Sequence, residues 1–333
     1  NWHEILESDK IHPITALTST VWKPDNAHHP DIGSLQYLLT GELFFLEAML
    51  NSAAYVTSNN NAKAFGYRYG RGETGSEGLL YSGGVRGQAW ALRTRVHTYD
   101  ILPDIWPEKA YFDQLNKNAI AAFEGLFNLE QSYPELSSIY EHSKNIVSPR
   151  AFVKTGSSST LGFWDEGTSS ASYVSDTIVD TNVVKQAIAP WMQNFVTISL
   201  GRAKELGYKT DNLLAYSSNY LNQLLNTPNL PKEVFSAYIT PTLNQNDSWF
   251  GSVDDIVSSY TDNYITTIGD KLSEGKDSEH GYYGIGMAAA AYSYSPNYAQ
   301  GWLYIKENVI SKDIYNNNPK WAILPRPVEN EEN

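Results

Sequence analysis

The chain has 333 residues, 41% of them hydrophobic, which is enough for a substantial core. It has no cysteine, so a disulfide framework, a zinc–thiolate site and a thiol nucleophile are all excluded. The formal net charge of -13 argues against nucleic acid as a partner, because phosphate binding needs a basic surface.

An acidic ligand remains compatible with that charge, since a local positive pocket can sit in a negative protein. No apolar run approaches the length of about 18 residues that a membrane-spanning helix needs. No signal peptide is visible, and the sequence starts at Asn1 rather than methionine, so a segment upstream is expected to have been removed or left out of this sequence. With the absence of cysteine, this fits a bacterial protein that is secreted or periplasmic. The 23 tyrosines and 9 tryptophans suit sugar faces, whose C–H surfaces stack on aromatic rings; a tyrosine-rich helical core accounts for the same composition.

Asp31 to about Tyr55 reads as a helix, a turn at Thr40-Gly41 and a second, amphipathic helix. Asp31 is placed to cap the first of them, the common role of Asp at a helix start. His28, His29 and Pro30 stand just ahead. Two adjacent histidines do not easily face one point, so at most one is expected to act. Thr57 to Gly84 is a long polar loop. Its aromatics and charges, Tyr67, Arg68, Tyr69 and Arg71, point to an ordered lid.

The most informative stretch is Gly84-Val85-Arg86-Gly87-Gln88-Ala89-Trp90-Ala91-Leu92-Arg93. It reads as a helix start. Arg86, Trp90, Arg93 and His97 recur at steps of four, three and four and so share one face. Val85, Ala89, Leu92 and Val96 make an apolar stripe beside it. A helix with both stripes borders a core and a polar cavity suited to an anionic, hydroxyl-rich ligand; a surface helix with snorkelling side chains is the plainer alternative. This second unit runs to about Leu129, with a break at Leu102-Pro103-Asp104.

Strand signals are confined to Ser148–Val153 and Ser172–Val179. Lys154 to Thr181 is a second long polar loop, carrying Phe163, Trp164, Asp165 and Glu166. Two carboxylates beside an aromatic can serve a glycosidase only with a partner from elsewhere, such as Asp31, Glu279 or Asp254. An acidic solvated loop is the slightly favoured reading of the same residues.

A third unit runs from about Val184 to Leu225 and breaks at Leu206-Gly207-Tyr208, with Pro190 and Trp191 near its start. Shorter candidates follow at Lys232–Ile239 and Val253–Ile268. A fourth unit runs from Tyr282 to about Val309, breaking at Ser295-Pro296-Asn297, and Arg326–Asn333 reads as a solvated tail.

Helical hairpins repeated along one chain suggest an all-α fold, an (α/α) toroid of residues 1–325 followed by the tail. An irregular helical domain without ring closure is the alternative. In a toroid the first helices run in one direction, so their N-terminal ends open on one face. His28, His29 and Asp31, then Arg86 and Gln88, then Pro190 and Trp191, then Glu279, His280, Tyr282 and Tyr283 would meet there. Helix N-termini add positive potential that favours carboxylate or sulfate groups.

Arg86-Gly87-Gln88-Ala89-Trp90 resembles a short signature of unsaturated glucuronyl hydrolases, which are (α/α)6 toroids. His29-Pro30-Asp31-Ile32-Gly33 resembles a His-Asp segment of the same enzymes, with a proline between the pair and a shorter gap to the first motif. The resemblance implies that Arg86 and Gln88 contact substrate and leaves the catalytic Asp unassigned. More broadly the chain resembles toroidal polysaccharide lyases and hydrolases.

The function expected is cleavage of glycosidic bonds in an acidic, uronate-containing polysaccharide, with β-elimination favoured over hydrolysis. Elimination needs a group to neutralise the carboxylate, a base for the C5 proton and an acid at the leaving oxygen. Arg86 or Arg93 with Gln88 suits the first task. His28, His29 or His280, the last beside Glu279, suits the second, and Tyr282, Tyr283, Tyr67 or Tyr69 the third. Trp90, Trp164 and Trp191 would stack on sugar rings, with Arg68 and Asp165 as further substrate contacts. No metal or cofactor is expected. The alternatives are a glycoside hydrolase using Asp165 or Glu166, and a non-catalytic glycan-binding or adhesion module of a larger exported protein.

Overall fold

The computed structural model describes residues 31, 33–58, 85–127, 129, 132–146, 152–154, 160–164, 179–188, 190–217, 240–246, 248, 250 and 253–261. Helices dominate them. No helix among the described residues is long and apolar enough to cross a membrane.

The first hairpin is α1 (Ser34–Thr40) followed by α2 (Leu43–Ser58). Gly33 starts α1 in a left-handed conformation, φ 109°, with its N–H donating to Gln36 Oε1 at 3.1 Å. A Cβ on Gly33 would lie 2.6 Å from the Phe45 carbonyl oxygen, so the start of α1 crosses α2 too closely for any side chain. The cap expected of Asp31 is therefore supplied elsewhere: Gly33 holds that position, and the Asp31 carboxylate turns to Ser34 Oγ and His97. On α2, Leu46, Met49, Ala53 and Val56 recur at helical spacing and are buried.

The second hairpin is α3 (Val85–Ile101) and α4 (Pro107–Phe127). Its break falls at Leu102-Pro103, and Pro107 opens α4 where a missing N–H costs nothing. The apolar stripe of α3 is buried at Ala89, Leu92 and Val96. The opposite side of the helix is buried too, at Ala91, Thr94, Arg95 and Thr98. Neighbouring helices account for this. Thr98 Oγ1 donates to the Met49 carbonyl of α2 at 3.4 Å and Arg95 Nη2 to the Leu115 carbonyl of α4 at 3.3 Å. Leu46, Met49 and Ala53 join Ile101, Leu102, Phe112 and Leu115 in one apolar cluster that ties α2, α3 and α4 together.

A 3-10 turn at Pro134–Leu136 leads into α5 (Ser137–Ile146), which packs Ile139 and Tyr140 against Ala121 and Ala122 of α4. The helix is short and largely polar, and its apolar residues are confined to one face. Two small antiparallel sheets follow. One pairs β1 (Phe152–Lys154) with β2 (Thr160–Trp164), the other β3 (Val184–Ile188) with β4 (Thr240–Asn244). Strand β2 thus lies within the stretch expected to be loop. Val184–Ile188, expected to begin the third helical unit, is extended instead. The helix can start only at Pro190, whose ring disfavours helical geometry in the residue before it. Val179 forms an isolated bridge with Tyr260.

The third hairpin is α6 (Pro190–Glu205) and α7 (residues 211–217). Gly207, φ 93°, turns the chain, its N–H donating to the Lys204 carbonyl and the Tyr208 N–H to that of Ala203. A last short helix, α8, spans Val253–Ser258.

Helices α3 and α6 pack along their lengths and run parallel. Phe195 meets Trp90 at a ring-centroid distance of 4.4 Å, and seven residues further along each helix Arg202 meets His97. Their second helices follow suit: Asn212 of α7 donates to Glu124 of α4 at 3.3 Å, and Asn116 of α4 donates to the Tyr208 hydroxyl at 3.1 Å. The second and third hairpins therefore stand side by side in the same orientation.

Candidate active site

Three of the four residues expected to share one face of α3 lie at a seam. Trp90, Arg93 and His97 are half-buried where α3 faces α1 and α6, while the residues on either side of that strip are buried. The Arg93 guanidinium carbon sits 4.2 Å from the centre of the Trp90 ring, over its face. With Phe195 at 4.4 Å as well, the Trp90 ring is engaged by its own protein.

A line of polar side chains starts at Asp31. Its Oδ2 lies 2.7 Å from His97 Nδ1 and accepts from Ser34 Oγ at 2.9 Å. On the other side of the imidazole, Arg202 Nε donates to His97 Nε2 at 3.0 Å, and Arg202 Nη1 donates to Glu205 Oε2 at 2.8 Å. A guanidinium has hydrogens to give and no lone pair to offer, so Nε2 must be the acceptor. The His97 proton is thereby placed on Nδ1, where it is donated to Asp31. Ring orientation and tautomer are both fixed by partners 66 positions before and 105 after it.

The Asp31 carboxyl responds to these neighbours. Burial alone would raise it, but the hydrogen bond and electrostatic pull of His97, the charge of Arg93 and the Ser34 hydroxyl outweigh burial and hold it below its ordinary value of 3.8. Its second oxygen, Oδ1, is buried and has no hydrogen-bond partner among the described residues. The arrangement is an imidazole held between a carboxylate and a guanidinium, with a second guanidinium, Arg93, close enough to act on the carboxylate. Such a group can hold a proton and bind an anion. Among the described residues, no cluster of His, Asp and Glu could hold a metal ion.

Asp31 meets α3 at His97, eleven residues beyond Arg86, or about 16 Å along the helix axis at 1.5 Å per residue. Asp31 therefore meets α3 in its C-terminal half. Gln88 helps to line a narrow crevice with Ala89, Leu92, Phe123, Val196 and Ser199, which has no room for a water molecule. Arg86 lies in the first turn of α3, Trp191 in the first turn of α6, and Trp164 ends β2. His28, His29, Tyr67, Arg68, Asp165, Glu279, His280, Tyr282 and Tyr283 lie outside the described residues.

Sequence reasoning put His97 on the right face but gave it no task, and it passed over Arg202. The signal for His97 was its step of four from Arg93. Arg202 looked like any basic residue in the last turn of a helix, where it complements the dipole. Compared with known proteins, the chain matches no family model, no curated protein and no solved structure.

Proposed function

We propose that this chain is an enzyme that cleaves a uronate-containing polysaccharide by β-elimination, with its reacting groups on the α1–α3–α6 seam. One observation carries the reading: a tautomerically fixed imidazole, His97, lies within a single line of polar contacts between Asp31 and Arg202, with Arg93 alongside. Elimination at a uronate needs this pairing of a cation for the carboxylate with a base beside it. Arg202 and Arg93 would neutralise the substrate carboxylate and lower the cost of the developing enolate, an effect worth about 3 kcal/mol per well-placed donor. His97 Nε2 would take the C5 proton. The C5–H electron pair becomes the new C4=C5 double bond, and the C4–O bond breaks. The leaving oxygen keeps the C4–O bonding pair and takes a proton from water.

The parallel packing of α3 and α6, with α4 and α7 side by side, supports an (α/α) toroid in which these first helices line the inner wall. The setting proposed with it is a secreted or periplasmic one in a bacterium, with which a cysteine-free chain is compatible. Glycan binding without turnover is the rival that the same seam allows.

The test is digestion of alginate, glucuronan, chondroitin and pectin-type polymers, followed by two readouts. Elimination yields the ultraviolet absorbance of a conjugated double bond together with new reducing ends. Reducing ends without absorbance would indicate hydrolysis. Retention of polymer with neither signal would leave only a binding module and end the enzymatic reading.

A further inference from the structure

We propose that Arg202 is a carboxylate-operated gate on the His97–Asp31 pair: an incoming carboxylate takes the guanidinium from His97 Nε2 and so uncovers the ring nitrogen that accepts a proton. The inference deepens the reading of the seam as a uronate-cleaving site and rests on it for the identity of the ligand.

The argument starts from what Nε2 is doing. Its lone pair receives the Arg202 Nε hydrogen at 3.0 Å, so in the ligand-free protein the nitrogen cannot accept a second proton without losing that bond. Arg202 itself is only half committed. One terminal nitrogen, Nη1, is on Glu205 at 2.8 Å, while the Nε edge, the edge that grips carboxylates with two parallel bonds, is spent on a neutral imidazole. A carboxylate is the stronger acceptor for that edge, because both partners are then ionised. The exchange therefore runs downhill for an acidic sugar and not for a neutral one, whose hydroxyls compete no better than water.

The site is reachable. The Arg202 and Asp31 side chains each keep 27% of their surface exposed, and His97 keeps 13%. After the exchange the imidazole does not swing away, because Nδ1 stays anchored on Asp31 at 2.7 Å and Asp31 on Ser34. The freed Nε2 then faces the place where the bound carboxylate has just drawn Arg202. Arg93, whose charge is already felt at Asp31, supplies a second cation beside it. Selectivity for acidic polymers and activation of the base thus become one event.

The test is nitrogen NMR of the His97 ring in the full chain, with the signals assigned by their loss in His97→Gln. The ligand-free protein is expected to show the proton on Nδ1 and Nε2 as a hydrogen-bonded acceptor. Addition of glucuronate should shift Nε2 toward the unbonded position, and glucose should not. Arg202→Met should give the shifted signal without ligand. It should also raise the rate at which diethyl pyrocarbonate acylates His97 about tenfold, the factor for one lost charge-assisted hydrogen bond. Arg202→Lys, which retains charge and most of the stem, should fall between the two. A proton on Nε2 in the free protein, an equal response to glucose, or unchanged reactivity in Arg202→Met would each overturn the gate. None of these readouts depends on turnover. If the gate responds but no uronate polymer is cleaved, the enzymatic reading fails and the carboxylate exchange stands.

Discussion

Arg202 and His97 are 105 positions apart, yet the guanidinium of one donates to the imidazole of the other at 3.0 Å, because α3 and α6 run parallel and in register. That bond decides which nitrogen of His97 carries the proton, and Asp31 is the group that receives it. Asp31→Asn keeps the shape and removes the anion. We expect it to cost about 1–2 kcal/mol, the low end for a hydrogen bond to a charged group because the pair is partly solvated. Urea denaturation measures the loss. A variant equal to wild type within error would mean that the His97 contact contributes nothing to stability.

The same carboxylate sets an acid limb. Its folded value lies below the unfolded 3.8, so its contribution to stability is complete above 3.8 and is lost as pH falls through the lower folded value. Stability measured from neutral pH downward should therefore fall more steeply across that window in wild type than in Asp31→Asn. Parallel curves for the two proteins would remove Asp31 as the source.

How much of this was legible in the sequence depends on the kind of signal. Breaks at Thr40-Gly41, Leu102-Pro103 and Leu206-Gly207 could be read because glycine and proline constrain the backbone locally. The stripe of Ala89, Leu92 and Val96 could be read because apolar spacing reports burial. Burial of Thr94, Arg95 and Thr98 could not, since polar types carry no such signal and the partners of Thr98 and Arg95 come from α2 and α4. Arg95 is the extreme case, fully buried and pushed down to about 10 by the loss of water, against the weaker opposing influence of Tyr111 and Tyr208. The seam itself needed tertiary contacts across 66 and 105 positions, and no spacing rule reaches that far.

Gly33 and Gly207 offer a matched pair of substitutions. Both have positive φ, 109° and 93°, so alanine at either is strained by about 1 kcal/mol. At Gly207 nothing lies within 4 Å of the added Cβ, whereas at Gly33 it would meet the Phe45 carbonyl oxygen at 2.6 Å. Gly33→Ala should therefore cost about 2 kcal/mol more than Gly207→Ala, the scale of overpacking against backbone that must move. It should also disturb the seam, because Gly33 is two residues from Asp31. Thermal melts of the two variants give the difference; equal losses would show that α1 can shift away from α2 at little cost.

Glu124 tests whether the hairpins are joined by polar as well as apolar contacts. Its carboxylate is fully buried on α4. It accepts the Ser132 N–H at 2.7 Å, the Ser132 hydroxyl, the Tyr140 hydroxyl at 3.1 Å and Asn212 Nδ2 at 3.3 Å. Four donors from the turn before α5, from α5 and from α7 thus converge on one anion. Burial, opposed by the Tyr133 N–H and reinforced by Glu124, pushes the Tyr140 hydroxyl up, so it stays a donor across the working pH range. Glu124→Gln places an amide NH2 against at least one of these donors, and nearby chain cannot relax to water. We expect a loss of about 2–4 kcal/mol, the scale for disrupting a buried, charged hydrogen-bond network. The exposed Glu135→Gln serves as the control and should stay within about 0.5 kcal/mol of wild type. Because Asn212 is held by the same carboxylate, Glu124→Gln and Asn212→Ala should be non-additive in a double-mutant cycle. Strict additivity would mean that α4 and α7 are held side by side by their apolar contacts alone.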